Sequence, residues 1–326
     1  MKDVDLPSPW ERELALPGDA SNRRYARVWN HSDRTAMLVR YPEAVRGQME
    51  RDLEVRAWSA ARGLRVPALI DHDLSQGWAV LEDFGTDDAE RTLERMSKGD
   101  RVERGIGLFE PLATLAAAEL SDLPRWNPSL DLRRMRWELA GFELWCLRHH
   151  LECAPSPPVG RWLDDLAAAI TEHPRRVCHR DYHLNNLFLL PGNEVGLIDY
   201  QDMLIGPDTY DGVSLLGERA ILRLLSEKER FQLREAWAAA TGAAPGWTDR
   251  WRLVSLQRGL KVLGTFTRLT LAGATVYEQW VGPLVYEVAA QVAATDAPSE
   301  LVGLLLDWSR RRHPATESRD HEAAAD

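Results

Sequence analysis

Residues 177–202, VCHRDYHLNNLFLLPGNEVGLIDYQD, decide the fold class of this chain. Two short apolar runs, LFLL and VGLID, flank the turn residues Pro-Gly-Asn at 191–193, which is the pattern of a β-hairpin. Helical patterns precede and follow this stretch. The sequence therefore predicts a small hairpin inserted in a helical region, with polar residues before its first strand and Asp199 at the end of its second.

These polar residues suit phosphoryl transfer from a nucleotide. That reaction needs a carboxylate to orient and deprotonate the attacking hydroxyl, and oxygen ligands for Mg²⁺. Asp181 offers the carboxylate, and Asn186 and Asp199 offer the ligand oxygens. A competing interpretation is a zinc site formed by His179 and His183, four residues apart on a helix. The asparagines and the strand that follow disfavour a helix, so we expect His183 to brace the loop.

The first 85 residues alternate strand patterns with turn residues. Residues 12–41 predict a hairpin followed by a third strand, and 65–74 and 77–85 predict two more strands. Residues 43–62 have helical periodicity that ends at Gly63. The face predicted to be buried carries Met49, Leu53, Ala57 and Ala60. We expect a five-stranded antiparallel sheet with one helix.

Beyond Gly85 the pattern changes to long helices. The fold class predicted is α+β, with an N-terminal nucleotide-binding lobe at 1–85 and a helical C-terminal lobe at 86–313. The polar stretch 314–326 predicts a disordered tail. The predicted helices are 101–120, 131–151, 160–172, 208–223, 226–241, 248–271, 276–294 and 299–312.

The segments HRDYHLNN, GLIDYQD and GPDTYD resemble the aminoglycoside phosphotransferase family, whose pattern is H-x-D-x-x-x-x-N followed by I-D. The resemblance implies a protein-kinase-like bilobal fold that uses ATP and Mg²⁺. It also implies roles for individual residues: catalytic base for Asp181, metal ligands for Asn186 and Asp199, and structural support for His179, His183, Asp202 and Asp211.

Three further segments narrow the resemblance. GDASNRRYARV at 18–28, ELAGFELWCLRHHL at 138–151 and QRGLKVLGTFTRL at 257–269 are similar to parts of bacterial cell-wall-sugar kinases. That branch implies phosphorylation of the anomeric hydroxyl of N-acetylmuramate and N-acetylglucosamine during cell-wall sugar recycling or salvage. The alternatives are an aminoglycoside, choline-like or other small-alcohol phosphotransferase, and an inactive kinase-fold protein that binds a nucleotide or partner.

The nucleotide phosphates are expected at the turn between the first two strands. The chain has no GxxxxGK[ST] or GxGxxG motif, which disfavours a P-loop enzyme. Residues 18–22 are small and polar, so their backbone N–H groups can approach phosphates. Ser21 and Asn22 add polar side chains, and Arg23 or Arg24 adds positive charge.

Two other segments complete the predicted nucleotide site. Arg40 stands on the third strand, where protein kinases place a lysine, and Glu50 or Glu54 on the helix is its expected partner. Arginine does not simply replace lysine at a tight site. Glu82 and Phe84 fall in the predicted connector, where backbone groups are expected to bind adenine.

The sugar acceptor is expected to lie against Asp181, bound by polar and aromatic residues of the helical lobe. Glu138 and Trp145 are seven residues apart and would share one face of a continuous α-helix. Sugar hydroxyls need carboxylates or amides, and an aromatic surface suits the ring face. The candidates are Trp137, Glu138, Trp145, His149, Arg258 and Lys261, of which the two cations suit the carboxylate of N-acetylmuramate.

Composition limits the remaining classes of function. The net charge of −10 makes a nucleic-acid partner unlikely. No apolar run is long enough to predict a membrane span. Three cysteines without CxxC spacing predict a protein of the reducing cytoplasm rather than a disulfide-stabilised one. We expect a cytoplasmic monomer or weak homodimer whose partners are small molecules.

Overall fold

The computed structural model describes residues 6–16, 22–124 and 126–312. They form two compact units, each built from two stretches of chain. The first unit comprises residues 1–128 and 175–244, and the second comprises 129–174 and 245–326. The boundary predicted at residue 85 marks the change from strands to helices, whereas these units are defined by packing. The predicted tail, 314–326, lies outside the described residues.

The first unit contains the predicted five-stranded sheet. Numbered along the chain, its five antiparallel strands lie in the order first, second, third, fifth and fourth. Alternation along the strands separates two buried faces, one with Val28, Leu38 and Val80 and the other with Val39 and Ala79. The prediction of this sheet is confirmed. The strands are β1 (Trp10–Ala15), β2 (Arg24–Asn30), β3 (Thr35–Arg40), β4 (Leu69–Asp73) and β5 (Trp78–Glu82).

Helix α1 (Gln48–Ala61) follows β3, but its buried face differs from the predicted one. Ala57 and Ala60 are exposed, whereas Met49, Asp52, Val55, Trp58 and Ser59 are buried. The carboxylate of Asp52 accepts hydrogen bonds from Arg23 and from the Tyr41 hydroxyl. These partners make burial of an acidic residue possible, which a search for apolar periodicity does not anticipate.

Two short strand pairs flank the catalytic segment. Strand β6 (Arg175–Cys178) pairs with β9 (Leu204–Pro207), and between them β7 (Leu187–Leu189) pairs with β8 (Val195–Leu197). The hairpin predicted around 191–193 is therefore present. The helices of this unit are α2 (Ala89–Glu94), α3 (Lys98–Gly107), α4 (Glu110–Ala117), α7 (Tyr210–Leu216), α8 (Arg219–Leu224) and α9 (Glu227–Thr241). The helices predicted at 101–120 and 208–223 are thus each divided in two.

The second unit is helical. Helix α5 (Leu132–Gly141) continues into a π-helical segment (Phe142–His150), where one continuous α-helix was predicted. A later helix, α10 (Trp247–Leu271), passes very close to this junction, because a Cβ added at Gly264 would lie 2.7 Å from the backbone nitrogen of Phe142. The other helices are α6 (Pro157–Thr171), α11 (Glu278–Ala293) and α12 (Ser299–Arg312). In the described part of the chain, no helix combines the length and hydropathy needed to cross a membrane.

Candidate active site

The catalytic loop begins where β6 ends, and a buried carboxylate fixes its backbone. Asp211, at the start of α7, is 6% exposed. Its two oxygens accept hydrogen bonds from the backbone N–H groups of His179 (2.6 Å) and Arg180 (2.9 Å). Arg180 has a φ of +79°, a strained conformation for a residue other than glycine. Asp211 thus occupies the position of the structural brace implied by the resemblance.

Side chains anchor the same loop from within. His179 is fully buried, and its Nε2 lies 3.0 Å from the carbonyl oxygen of Ile198. Its ring contacts the edge of Tyr182, whose hydroxyl donates to the Leu108 carbonyl oxygen at 2.6 Å. Nε2 is thus engaged with the backbone of the hairpin, and among the described residues no group of three or more His, Cys, Asp or Glu side chains could hold a metal ion, which disfavours the zinc alternative. His179 serves instead to hold the loop against the end of β8.

The two predicted metal ligands are brought together by the hairpin. Asn186 Nδ2 donates to the backbone oxygen of Asp181 at 2.9 Å, and the Ile198 N–H donates to the backbone oxygen of Asn186 at 3.0 Å. Asp199 follows directly, with a φ of +62° and a side chain that is 38% exposed. Because the amide nitrogen of Asn186 is committed to the loop, its Oδ1 remains as a ligand atom. Amide and carboxylate oxygens fit Mg²⁺.

His183 and Asp202 lie beside these ligands. His183 Nε2 is 3.4 Å from Asn186 Nδ2, so the histidine borders the amide, as expected for a residue that braces the loop. Asp202 shares a partner with Asp199, because Gln201 Nε2 donates to Asp199 Oδ1 at 2.7 Å and to Asp202 Oδ2 at 3.1 Å. Gln201 thus links Asp202 to Asp199, the predicted metal ligand.

Sequence reasoning missed the residues that hold the backbone after Asp199 and the backbone of the catalytic loop. Asn127 Nδ2 donates to the backbone oxygens of Gln201 (2.9 Å) and Met203 (3.1 Å). The Leu184 N–H donates to Glu218 at 2.9 Å. Neither contact has a signal in local spacing, since the partners are separated by more than thirty residues along the chain.

Part of the predicted phosphate-binding turn lies outside the described residues, including Ser21. Asn22 is exposed, whereas the side chain of Arg23 is only 10% exposed. The guanidinium of Arg23 contacts Asp52 at 2.9 Å and Asp199 at 3.3 Å. Arg23 therefore links helix α1 to the predicted metal site, whereas the neighbouring Arg24 is exposed.

The expected pair between Arg40 and helix α1 is not formed. Arg40 extends over the sheet to Glu13 of β1, with Nη2 2.6 Å from Oε2. Glu54 accepts a hydrogen bond from the indole of Trp126 instead, and Glu50 is exposed. The prediction was wrong because it assumed the lysine–glutamate geometry of protein kinases. The longer arginine finds its carboxylate on a neighbouring strand.

The connector predicted to bind adenine is fixed by Arg65. Arg65 forms a bidentate ion pair with Glu82, at 2.5 and 2.7 Å, so this side chain is engaged within the protein. That contact lowers the pKa of Glu82. Phe84 packs against Phe188 and lies under the Arg65 guanidinium, which joins the connector to the hairpin. The side chains of Glu82 and Phe84 thus brace the connector, and the adenine contact through its backbone stays a prediction.

The acceptor candidates all lie in the second unit. Glu138 is 5% exposed and binds Lys261 Nζ and Gln257 Nε2, each at 3.0 Å, so its carboxylate joins α5 to α10. This burial disfavours the predicted direct contact of Glu138 with a sugar. Trp137 is 72% exposed. The remaining candidates are partly or fully accessible: Trp145, His149, Arg258 and Lys261.

Glu138 and Trp145 do not follow the predicted seven-residue relation. The π-helical segment begins between them and winds through a smaller angle per residue than an α-helix. Trp145 instead stacks on His149, with ring centroids 5.0 Å apart and planes inclined by 26°. The exposed aromatic surface predicted here is thus a stacked pair.

Comparison of sequences finds a single family over most of the chain. The model of the phosphotransferase enzyme family matches residues 13–252. An N-acetylmuramate/N-acetylglucosamine kinase of Pseudomonas aeruginosa is 34% identical over 268 residues, which cover 78% of this chain and 76% of the relative.

Comparison of structures finds the same fold in kinases with other acceptors. A choline/ethanolamine kinase family protein from Mesorhizobium loti matches with a TM-score of 0.59 at 13% identity, covering 93% of this chain and 94% of that one. An amicoumacin kinase in complex with AMP-PNP and Ca²⁺ matches with a TM-score of 0.57 at 12% identity, covering 88% and 90%. These matches establish the protein-kinase-like fold.

Proposed function

Because the chain belongs to the phosphotransferase enzyme family, we propose that it is a sugar kinase that transfers the γ-phosphoryl group of ATP to N-acetylglucosamine or N-acetylmuramate. The acceptor is the anomeric hydroxyl, and the reaction serves cytoplasmic recycling or salvage of cell-wall sugars. The observation that carries the phosphoryl chemistry is the loop in which Asp211 fixes the backbone leading to Asp181. The choice of sugar rests on the 34% identity to the Pseudomonas aeruginosa kinase.

The residues of the first unit divide the chemistry between them. Asp181 accepts the proton of the acceptor hydroxyl as the new bond to phosphorus forms. Asn186 Oδ1 and the Asp199 carboxylate would hold Mg²⁺, which would neutralise charge on the phosphates. Asp211 and His179 keep the loop in one conformation, so little reorganisation is needed when the substrates arrive.

The acceptor is tested by supplying Mg²⁺ and ATP with N-acetylglucosamine, N-acetylmuramate, glucose, kanamycin and choline in separate reactions. We expect ADP release with the N-acetylated sugars and a product whose phosphorus signal couples to the anomeric proton. The methyl glycoside of N-acetylglucosamine is the matched control, because its anomeric oxygen is blocked. Phosphorylation of that glycoside would refute the anomeric position, and reaction with kanamycin or choline alone would refute the sugar.

The catalytic role is tested with Asp181→Asn, which keeps the size of the side chain but cannot accept the proton. We expect kcat to fall by about 10²–10⁴-fold, with little change in nucleotide affinity. Turnover near that of the unaltered protein would remove Asp181 from the role of base. Absence of phosphorylation with every acceptor, together with normal nucleotide binding, would favour the inactive kinase-fold alternative.

A further inference from the structure

Arg23 and Asp52 form a buried bridge that reaches the predicted metal site. Arg23 stands immediately before β2, and its side chain is 10% exposed, whereas that of Asp52 on α1 is 5% exposed. Nη1 of Arg23 lies 2.9 Å from Asp52 Oδ2, and Nη2 lies 3.3 Å from Asp199 Oδ1. One guanidinium therefore joins a helix carboxylate to a carboxylate of the active site.

The position of Asp52 is fixed by more than the arginine. The Tyr41 hydroxyl donates to Asp52 Oδ2 at 3.1 Å, and Arg51 Nε lies 3.3 Å from Oδ1. The Arg23 guanidinium also lies over the ring of Tyr25, 5.6 Å from its centroid. Buried ion pairs add little net stability once desolvation is counted. The Arg23–Asp52 pair also contacts Asp199, a predicted metal ligand whose side chain is 38% exposed. A role in binding a ligand explains this arrangement better than a role in stability.

The two other candidate arginines, Arg24 and Arg40, do not offer such an arrangement. Arg40 is paired with Glu13 on β1, an edge strand of the sheet. Arg24 is exposed, and the carboxylates of Asp52 and Asp199 contact Arg23 instead. Arg23 directly follows the predicted phosphate-binding turn, and it is anchored to the helix by a carboxylate.

We propose that Arg23 binds the phosphates of the nucleotide and that Asp52 is its positioning residue. The pair takes the place of the strand lysine and helix glutamate of protein kinases. Neither residue stands at the position expected for that pair, which was Arg40 with Glu50 or Glu54. The proposal rests on the proposed kinase function. Arginine suits this task because its planar guanidinium can keep one edge on Asp52 while it presents other N–H groups to phosphate oxygens.

The direct test measures binding of AMP-PNP and of adenosine by calorimetry, with Mg²⁺ and with EDTA. We expect Arg23→Gln to weaken AMP-PNP binding by about 10- to 100-fold, as for loss of a charge-assisted hydrogen bond. Binding of adenosine, which has no phosphates, should be unchanged. Equal losses for the two ligands would overturn the proposal, since they would indicate a general disturbance of the site.

The role of Asp52 is tested by a double-mutant cycle. We expect Asp52→Asn to weaken AMP-PNP binding by about 3- to 10-fold, and to add little when Arg23 is already glutamine. Asp52→Glu should recover part of the loss. Fully additive effects would show that Asp52 does not act through Arg23. Arg23→Lys keeps the charge, so it carries the test if Arg23→Gln fails to fold; binding by the lysine variant equal to that of the unaltered protein would argue against the bidentate role.

Two comparisons make the result specific. Arg24→Gln tests the rival cation, and a larger loss of AMP-PNP binding there than in Arg23→Gln would overturn the assignment. Arg12→Gln, on the exposed edge strand, is the control for charge alone. Because AMP-PNP binding needs no acceptor, failure of the sugar assignment leaves this experiment intact. Conversely, normal sugar phosphorylation with unaltered AMP-PNP affinity in Arg23→Gln would refute only the bridge.

Discussion

Asp211 in the first compact unit and Glu138 in the second are both buried carboxylates, 6% and 5% exposed, but their partners differ in kind. Asp211 accepts from two consecutive backbone N–H groups of the catalytic loop. Glu138 contacts two side chains of a neighbouring helix, Lys261 and Gln257. A carboxylate directed at loop backbone sets the geometry of a reaction, whereas one directed at side chains joins helices. Loss of the first should appear in turnover and loss of the second in stability.

Glu138 of the second unit and Asp52 of the first unit also differ in the direction of their pKa shifts. Burial by itself raises the pKa of Glu138, but Lys261, Gln257 and Arg258 together lower it below its ordinary value. Burial also raises the pKa of Asp52, and Arg23 opposes this effect without reversing it. The carboxylate of the second unit is thus stabilised as an anion by folding, whereas Asp52 is held in its site at a cost.

The largest effect is expected for Asp211→Asn. An asparagine offers one oxygen, so its NH₂ group would face either the His179 or the Arg180 N–H. We expect kcat to fall by about 10²-fold through misplacement of Asp181, measured by steady-state release of ADP with N-acetylglucosamine. If the variant unfolds at a lower temperature but turns over normally while folded, Asp211 contributes packing rather than geometry.

Glu138→Gln should show the opposite balance. Removing the charge leaves Lys261 without its buried counter-ion, which typically costs about 3 kcal/mol. We expect this loss in the free energy of unfolding measured with urea, and little change in the KM for the sugar. A raised KM for the sugar without a loss of stability would instead return Glu138 to the acceptor site.

The pH dependence of this variant provides an internal control. Lys261 and Gln257 outweigh the effect of burial and lower the pKa of Glu138 in the folded protein, so its contribution to stability is present above its ordinary pKa and is lost as the pH falls through the folded value. The stability difference between the unaltered protein and Glu138→Gln should therefore shrink in acid. A difference that stays constant there would assign the loss to altered packing.

A smaller effect in the second unit is expected for Gly264→Ala. The added methyl group would meet the backbone at Phe142 and Gly141, so helix α10 or the π-helical segment must shift. We expect a loss of about 1–3 kcal/mol in the free energy of unfolding. Gly303, within α12, is the matched control, since a Cβ there meets nothing within 4 Å. Gly303→Ala should stabilise by about 0.5–1 kcal/mol, and destabilisation by both changes would contradict the close-approach explanation.

The catalytic segment was predictable because its chemistry requires particular residue types at short spacings. Asp181, Asn186 and Asp199 lie within nineteen positions that contain both strands of the hairpin. The five-stranded sheet was predictable for a related reason, since alternating burial is written locally in each strand. In both cases the determining contacts lie within one segment or between adjacent ones.

The features that were missed depend on distant partners. The contact between Arg23 and Asp52 spans 29 residues, and it buries an acidic residue that an apolar pattern excludes. Yet Asp52 lies three residues from both Met49 and Val55 on the buried face of α1, a signal that attention to polar interruptions would have found. The π-helical segment had no such signal. It lies where Gly264 of α10, more than a hundred residues away, packs closely against it.

The smallest effect is expected for Arg40→Gln, which allows Arg40 to be compared with Arg23. The Arg40–Glu13 pair has side chains that are 24% and 39% exposed, so solvent screens it. We expect a loss of less than about 1 kcal/mol in the free energy of unfolding and no change in AMP-PNP affinity. Arg23→Gln, in contrast, is expected to weaken AMP-PNP binding by about 10- to 100-fold. The two variants measured side by side therefore decide which arginine binds phosphate. If Arg40→Gln weakened AMP-PNP binding as much as Arg23→Gln, the third strand would supply a phosphate-binding cation after all, and Asp52 would lose its proposed role.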